Sequence, residues 1–384
     1  MFVSVYTIAK NEELVAERWY ACFKEADEVC VLVNNSTDKT ADKLRKLGAK
    51  VVEKTYKDFR FDVARNDAMK MCSPRADLLF GCDMDDVIEK GWKKKIERAW
   101  ELGKNSEHNP NAILFTYNVW YGDEVPLQKF LRHSIHTPKG WYWKCRIHEY
   151  IEHTIEKNFI YYPKFEMYSR PLRNEHGMYL PMLEAECRDP NCEARNKHLL
   201  GREYLQHKKY EDAIEWFNKH LGSIDATWKS ERAASMKFLS DCYKSLGFEN
   251  ARELWLWKAM DENPKDRDAP FILGMLLIKK KEYSTAIDVL NRCLAIEKPE
   301  LDYPFFSLDA WTERPFVCLA EAKFYVGEWN EAISLLDKAL SMNPKCEVAR
   351  TMRDEITSHI ASGKKPPTPP PEIPRFRIEI PELA

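Results

Sequence analysis

The chain has 384 residues, with 59 lysines and arginines against 61 aspartates and glutamates, and its formal charge is −2. This balance does not indicate a broad phosphate-binding surface, although it leaves room for a local basic patch, and 44% hydrophobic residues with 12 Trp, 17 Tyr and 18 Phe exclude a disordered chain. Only 13 residues are glycine, and no glycine-rich phosphate loop of the G-x-x-x-x-G-K or G-x-G-x-x-G type is present. The length predicts two domains.

Short β-branched runs alternate with helical patterns over the first 120 residues. The predicted strands are Phe2–Ala9, Glu28–Val33, Lys50–Glu53, Leu78–Cys82 and Ala112–Trp120, and the predicted helices are Glu12–Lys24, Ala41–Leu47, Phe61–Met71 and Gly91–Leu102. This alternation predicts a mostly parallel α/β sheet of Rossmann-like type, in which ligands bind at the carboxyl ends of strands. Those ends fall at Thr7–Glu12, Asn34–Asp38 and Asp83–Asp86.

From about residue 190 a helical repeat with a spacing in the mid-thirties replaces the strands. Four copies begin at Leu200, Leu239, Leu273 and Leu319, with an insertion (Leu301–Arg314) before the last. Small residues at predicted helix contacts, aromatics between helices and closing prolines resemble the tetratricopeptide repeat. The alternative is a helical bundle without repeats.

Residues 361–384 are rich in proline and predict an extended tail, in which Arg375–Ile380 forms an edge strand or stays flexible. The predicted division is therefore residues 1–185, 190–360 and 361–384.

The eleven cysteines form no C-x-x-C pair, and we expect buried or partly buried thiols in a reducing compartment. Cys187 and Cys192 are too distant from other soft ligands in the sequence to indicate zinc. The N-terminal apolar run is too short for a signal sequence, and no run of 18 apolar residues occurs. These features predict a cytoplasmic protein without a membrane span.

An acidic cluster, Asp83-Met84-Asp85-Asp86, follows the apolar strand that ends at Cys82. Such a cluster suits a hard divalent cation that bridges carboxylates and diphosphate oxygens. The alternative is an acidic cap for a helix over Ile88–Trp100. Taken alone, the cluster favours neither interpretation.

The acids stand within an ordered series of motifs. Before them come Thr7-Ile8-Ala9-Lys10-Asn11-Glu12-Glu13, Asn34-Asn35-Ser36-Thr37-Asp38-Lys39-Thr40 and Phe61-Asp62-Val63-Ala64-Arg65-Asn66, and after them come Lys129-Phe130-Leu131-Arg132 and Arg146-Ile147-His148-Glu149. This order resembles family 2 glycosyltransferases of the GT-A fold over about residues 1–180. A GT-A domain before tetratricopeptide repeats is also similar to the sublancin-type enzymes that modify peptides, although other family members share the arrangement.

The resemblance implies a role for each matching residue. Asp83 and Asp85 would hold Mn²⁺ or Mg²⁺ on the diphosphate, with Asp85 the more direct ligand, and Asp86 would orient the sugar or acceptor as a catalytic residue. The nucleotide sugar would contact Thr7, Ala9, Asn11, Glu12, Asn34, Asn35, Arg65 and Asp83. Asp38 would cap the helix behind the second strand. For Arg65, an ion pair with Asp62 or Asp67 is the alternative.

One motif departs from the family pattern. Val33 stands where the family has an acid that contacts the nucleobase, and Asn35 stands where it has glycine. Asparagine tolerates a left-handed backbone, so we expect the turn to be kept. A UDP-sugar such as UDP-glucose remains the default donor.

His148 and Glu149 form the second candidate pair. The resemblance implies that His148 contacts the metal or diphosphate and that Glu149 is the general base; the alternative is a polar strand beside the cleft. Asp123 and Glu124 are rival bases, and His176 is a weaker candidate. The aromatic run Trp141–Trp143 either stacks on a sugar or belongs to the core.

These features together predict a metal-dependent, inverting hexosyltransferase whose repeats bind an acceptor peptide, protein or glycan, another protein partner, or a second copy of the chain. One alternative is a non-catalytic scaffold that binds proteins. A second is a transferase acting on modified DNA bases, for which Lys90–Lys95 is the only basic stretch singled out.

Overall fold

The computed structural model describes residues 1–105, 109–119, 128–170, 179–298 and 308–364. These residues form two compact units, one of which spans Met1–Cys192, whereas the other begins at Glu193. The predicted tail lies outside the described residues beyond residue 364. No helix in the described ranges combines the length and the apolar composition that a membrane crossing requires.

The first unit is an α/β structure. Its described strands are β1 (Val3–Ala9), β2 (Glu28–Asn34), β3 (Lys50–Lys54), β4 (Leu78–Gly81), β5 (Asp86–Ile88), β6 (Ala112–Val119), β7 (Gln128–His136), β8 (Trp141–Lys144), β9 (Tyr150–His153) and β10 (Phe159–Ser169). Its described helices are α1 (Ala16–Phe23), α2 (Thr40–Leu47), α3 (Phe61–Lys70), α4 (Trp92–Lys104) and α5 (Tyr179–Glu186).

Eight of these strands form one sheet in the order β3-β2-β1-β4-β7-β6-β10-β5. Strands β1 to β4 are parallel, β6 and β10 are parallel to each other, and β7 and β5 pair antiparallel with their neighbours. The chain turns from one side of β1 to the other between β3 and β4. The crevice at the carboxyl ends of β1 and β4 is therefore the expected ligand site in such a sheet.

Alternation along the central strands builds two apolar layers. Val3 and Val5 join one core with α1 and α4, in which Trp19, Phe23 and Trp92 are fully buried. Tyr6, Cys30 and Leu32 face the opposite core, which contains α3 and the β8–β9 ribbon and whose members include Ala64, Ala68, Trp141 and Trp143. Because neighbouring residues point to opposite faces, a single strand serves both layers.

One predicted helix start is wrong, and so is one of the two alternatives for the acidic cluster. Helix α1 begins at Ala16 rather than Glu12, and the backbone N–H groups of Glu12 and Glu13 donate to Thr40 Oγ1 at the start of α2 and to Asp38 Oδ2 in the loop before it. The acids after β4 do not cap a helix. Strand β5 follows them, and α4 starts only at Trp92.

The second unit is helical throughout its described residues. Its helices are α6 (Ala194–Gln206), α7 (Tyr210–Leu221), α8 (Lys229–Ser245), α9 (Glu249–Glu262), α10 (Asp268–Lys279), α11 (Tyr283–Ala295), α12 (Arg314–Tyr325), α13 (Trp329–Met342) and α14 (Glu347–Ala361), with a 3₁₀ turn at Leu308–Trp311. An α/β domain followed by an all-α region confirms the predicted fold class.

The same turn recurs within four helix pairs of this unit. One residue per turn has a left-handed backbone, with φ between 59° and 88°, and the next residue donates its N–H at 2.9 Å to a carbonyl five residues earlier. The left-handed residues are Lys208, Gly247, Lys281 and Gly327. Paired helices also meet at glycine, since a Cβ on Gly201 would lie 2.8 Å from the Phe217 ring. Recurrent geometry of this kind favours repeats over a bundle without repeats.

Candidate active site

The acidic cluster lies at the carboxyl end of β4, where the chain passes into β5. Oxygen atoms of Asp83, Asp85 and Asp86 all lie within 4.8 Å of one another. Carboxylates this close repel one another unless cations or protons compensate them. Each of the three carboxylates has different neighbouring side chains that compensate its charge.

Two arginines hold the carboxylate of Asp83. Arg65 of α3 donates to Oδ1, and Arg132 of β7 donates to Oδ2 at 3.2 Å. Arg65 also donates to the carbonyl of Cys82 at 2.7 Å and lies over the Trp143 ring. Asp83 is thereby fixed to elements on both sides of the crevice.

Asp86 is fully buried. Its Oδ1 accepts from the Tyr117 hydroxyl at 2.7 Å, and its Oδ2 accepts from the backbone N–H of Asp83 at 2.7 Å. Burial raises the pKa of Asp86 to about 7, although the charge of Arg132, which lies 3.6 Å away, acts in the opposite direction. This carboxyl therefore does not face solvent. It stabilises, from inside the protein, the turn that carries Asp83, Asp85 and Asp86, which we call the acidic turn.

Asp85 is tied to the end of β10. Its Oδ2 accepts from the Ser169 hydroxyl at 2.7 Å, and its carbonyl accepts from the N–H of Arg170 at 3.0 Å. The three acids consequently have three different surroundings: two guanidinium groups at Asp83, a hydroxyl at Asp85, and a buried tyrosine and backbone amide at Asp86.

Glu149 is connected to the cluster through Arg65. The Nε of Arg65 donates to Glu149 Oε1 at 2.8 Å, and both side chains are at most 10% exposed. The alternative pairing of Arg65 with Asp62 or Asp67 is wrong. Those two acids pair instead with Arg60 at 2.8 Å and with Lys54 at 2.6 Å, respectively.

His148 stands apart from the three carboxylates. Its imidazole is exposed and packs against Tyr179 of α5, with ring centroids 5.4 Å apart. The cluster of acids within 4.8 Å contains no histidine among the described residues. A metal contact from His148 remains a prediction.

The aromatic run beside this segment is divided by strand alternation. Trp141 and Trp143 are 5% and 4% exposed and belong to the core, whereas Tyr142 faces outward. Trp143 donates its Nε1–H to the buried Tyr6 hydroxyl at 2.8 Å. The two tryptophans therefore belong to the core, which was the alternative to sugar stacking.

The loops after β1 and β2 lock together by side-chain bonds. Asn11 has φ of 56°, and its Oδ1 accepts from the N–H of Thr37 at 2.7 Å. Burial acts to raise the pKa of Asp38, but hydrogen bonds from Thr40 and Glu13 outweigh it and lower the pKa. The N-cap position of α2 is Lys39 and not Asp38, but Asp38 accepts from the N–H of Thr40, the first residue of the helix, at 3.0 Å.

The turn after β2, whose sequence differs from the family pattern, has the expected conformation. Asn35 has φ of 47°, which confirms that asparagine supplies the left-handed backbone. Val33 is fully buried in the core shared with α1 and α4, so no side-chain acceptor for a nucleobase is available at that position. Asn34 is also buried.

The residues in and after β1 that were predicted to contact the nucleotide sugar differ in their burial and hydrogen bonds. Thr7 is fully buried and donates its hydroxyl to the Cys82 carbonyl at 2.8 Å, which joins β1 to the start of the acidic turn. Ala9 is 4% exposed, and the N–H of Glu12 donates to Thr40. The rival bases Asp123 and Glu124, and also His176, lie outside the described residues.

Sequence reasoning singled out no role for Arg132, Tyr117 or Ser169, all of which contact the acids. Arg132 was visible as the last residue of the Lys129-Phe130-Leu131-Arg132 motif, but nothing in its local sequence indicates an acidic partner 49 residues away. Tyr117 and Ser169 sit on strands whose pairing brings them to the same edge as Asp86 and Asp85. The antiparallel return of the chain determines these contacts.

Residues 4–175 match the model described as glycosyl transferase family 2. These residues form a glycosyltransferase domain. The domain includes every described site residue from Thr7 to Glu149, with the acidic turn and both arginines. No curated protein sequence matches the chain.

Several solved structures are similar to part of the chain. YrrB, described as a TPR protein with an unusual peptide-binding site, is 20% identical with a TM-score of 0.37, and the alignment covers 47% of this chain and 84% of that chain. MamA is 20% identical with a TM-score of 0.32, covering 42% and 91%. The first TPR domain of human RPAP3 is 18% identical with a TM-score of 0.29, covering 35% and 95%.

Proposed function

We propose that the protein transfers a hexose from a nucleoside diphosphate sugar, by default a UDP-sugar, to a hydroxyl or thiol of a peptide, protein or glycan. The observation that carries this proposal is the acidic turn at the β1–β4 crevice within the glycosyltransferase domain. Two arginines and four acids, including Glu149, converge on this edge of the sheet. Such an edge binds ligands in open α/β sheets.

The donor set at this turn fits a hard divalent cation. All candidate ligand atoms are carboxylate oxygens, which Mg²⁺ and Mn²⁺ prefer. Four carboxyl groups outnumber two guanidinium groups, so the cluster retains negative charge even when Asp86 is protonated. We propose that Asp85 holds the ion, with Asp83 next to it. The ion would neutralise the charge of the departing diphosphate.

Asp83 has a different part in this proposal. Arg65 and Arg132 occupy its two oxygens, so this carboxylate positions both guanidinium groups at the crevice. Arginine recognises phosphate through several N–H groups at once. The arginines would therefore assist in binding the diphosphate beside the acids.

Glu149 is the proposed general base. In a single displacement, it takes the proton from the acceptor as the acceptor atom attacks the anomeric carbon, and the nucleoside diphosphate leaves with the bonding pair. One displacement inverts the anomeric configuration. Arg65 holds Glu149 through a 2.8 Å hydrogen bond, which supports a fixed direction for the proton transfer.

Sugar-nucleotide turnover tests the proposal. With Mn²⁺ present, Asp85→Asn should lower hydrolysis or transfer by about 100-fold or more, because the shape is kept and one anionic ligand is lost. Asp42→Asn is the matched control, since Asp42 is an exposed aspartate on α2. Full activity of Asp85→Asn with retained Mn²⁺ dependence would remove the metal role assigned to this residue.

We infer that the helical repeats bind the acceptor or a protein partner. Stacked helix pairs form extended surfaces that suit peptides. Self-association through the repeats would make the sedimentation coefficient rise with protein concentration. A constant value at the mass of one chain would leave the acceptor as the partner of this surface.

A non-catalytic scaffold is the second candidate. Buried Val33 in place of a base-reading acid favours it, because one expected nucleotide contact is lost. Absence of nucleotide binding in calorimetry with Mn²⁺ would support the scaffold, whereas measurable turnover would eliminate it.

A further inference from the structure

Two cysteines meet at the end of the first unit. Cys187 follows the last residue of α5, and Cys192 lies five residues later in the turn before Glu193. Their sulfur atoms are 2.9 Å apart. The backbone fixes this approach, because Cys187 donates its N–H to the Leu183 carbonyl at 2.8 Å and Cys192 donates its N–H to the Asp189 carbonyl at 2.9 Å.

We propose that Cys187 and Cys192 are a thiol–disulfide modification site that exchanges with small-molecule disulfides such as oxidised glutathione. The sulfur atoms need to approach only from 2.9 Å to the disulfide distance of about 2.05 Å. Since the turn already holds both thiols together, bond formation requires little change in the backbone.

The exchange proceeds in two balanced steps. The Cys187 thiolate attacks one sulfur of the small disulfide, a mixed disulfide forms, and one small thiolate leaves. Cys192 then loses its proton and attacks the Cys187 sulfur, and the second small thiolate leaves. Two protein thiols are oxidised, and one small disulfide is reduced to two thiols.

Exposure assigns the order of attack. Cys187 is partly exposed, whereas Cys192 is 9% exposed. The attacking thiol must reach the small disulfide, and the resolving thiol need only reach its neighbour. Cys242, by comparison, is fully buried in the core of the repeat unit.

The pair is close to the proposed active-site segment. Glu186, which precedes Cys187, accepts from Arg146 Nε at 3.3 Å. The same helix packs Tyr179 against His148, and the Arg146 carbonyl accepts from the N–H of Phe61 at the start of α3. A cross-link at the end of α5 therefore restrains the helix that supports residues 146–148.

Peptide mapping of the full chain in graded glutathione buffers tests the proposal. After alkylation and trypsin digestion without reductant, the disulfide joins residues 174–188 to residues 189–195, and the joined mass is two hydrogen atoms below the sum of the two peptides. We expect this species to replace the separate alkylated peptides as the buffer becomes oxidising, and reductant to restore them. Hydrogen exchange of residues 146–148 should slow in the oxidised chain.

Variants make the assignment specific. Cys187→Ser and Cys192→Ser should each abolish the joined species, and Cys346→Ser, at a partly exposed cysteine of the second unit, should leave it unchanged. The wild-type measurement stands even if a variant fails to fold. Persistence of both alkylated peptides in fully oxidising buffer, or pairing of Cys187 with a different cysteine, would overturn the proposal. Neither result depends on glycosyltransferase activity.

Discussion

Asp86→Asn should change how stability depends on pH. The carboxyl is fully buried, and its partners are the Tyr117 hydroxyl and the N–H of Asp83. An asparagine of the same shape can accept from that N–H and donate to the tyrosine oxygen. The substitution removes the titration while it keeps the packing.

The magnitude follows from the raised pKa. Burial moves the pKa of Asp86 from 3.8 to about 7, and at about 1.36 kcal/mol per pH unit this difference corresponds to about 4 kcal/mol. Between these values the folded protein binds the proton and the unfolded chain does not. The carboxyl therefore lowers the free energy of unfolding as pH rises through this window, and the effect is complete above about pH 7.

Urea unfolding followed by tryptophan fluorescence, in the presence of a chelator, measures the effect. From about pH 4 to about pH 8, the free energy of unfolding of Asp86→Asn should rise relative to wild type by up to about 4 kcal/mol. Asp42→Asn should show no such trend, because Asp42 is exposed at the surface. A difference between Asp86→Asn and wild type that stays constant across this range would refute the reasoning.

Three further substitutions test other parts of the structure. Gly201→Ala should lower the free energy of unfolding by about 1–3 kcal/mol, since the new Cβ would lie 2.8 Å from the Phe217 ring, whereas an unchanged urea midpoint would contradict the close helix contact. Lys237→Ala should cost about 3–5 kcal/mol because buried Asp268 at 2.8 Å and partly buried Asp266 at 2.7 Å lose their cation, and a loss below 1 kcal/mol by calorimetric melting would disprove that pairing. Because the φ of Asn35 is 47°, Asn35→Gly should leave the free energy of unfolding within about 1 kcal/mol of wild type, whereas Asn35→Val should lower it by at least about 1–2 kcal/mol. Equal melting temperatures for the two variants would argue against the left-handed turn.

The sequence was sufficient for strands β1 to β4 and β6, whereas strands β5, β7 and β10 of the same sheet were not predicted. Short β-branched runs and the polar residues that follow them predicted which strand ends carry Thr7, Asn35 and Asp83. The conformation of Asn35 was also predictable, because few residues other than glycine adopt it readily. Local chemistry decides these features, so local sequence predicts them.

The partners of the charged groups were not predictable in the same way. The sequence offered Asp62 or Asp67 as alternative partners of Arg65, but tertiary packing brings Asp83 and Glu149 to it instead. Arg132 reaches Asp83 because β7 returns antiparallel beside β4, which only the folded sheet determines. A buried guanidinium takes the acids that share its crevice, whatever their distance in sequence.

The start of α4 was uncertain for a related reason. Acids before an apolar run are typical of a helix N-terminus, and they also suit a turn that lines a crevice. Burial of Asp86 by Tyr117 and pairing of β5 with β10 stabilise the second arrangement. Both contacts involve residues at least 31 positions away, so the local pattern carried no information about them.

Calorimetric titration of the full chain with nucleoside diphosphates, with Mn²⁺ or with a chelator, tests the central claim most directly. The panel of ligands is UDP, GDP, ADP and CDP, and wild type should bind UDP or another member of it much more tightly when Mn²⁺ is present. Asp85→Asn should lose that difference in affinity, whereas Asp42→Asn should keep it. Equal affinity with and without Mn²⁺, or full Mn²⁺ dependence in Asp85→Asn, would contradict a metal-assisted glycosyltransferase site at the acidic turn.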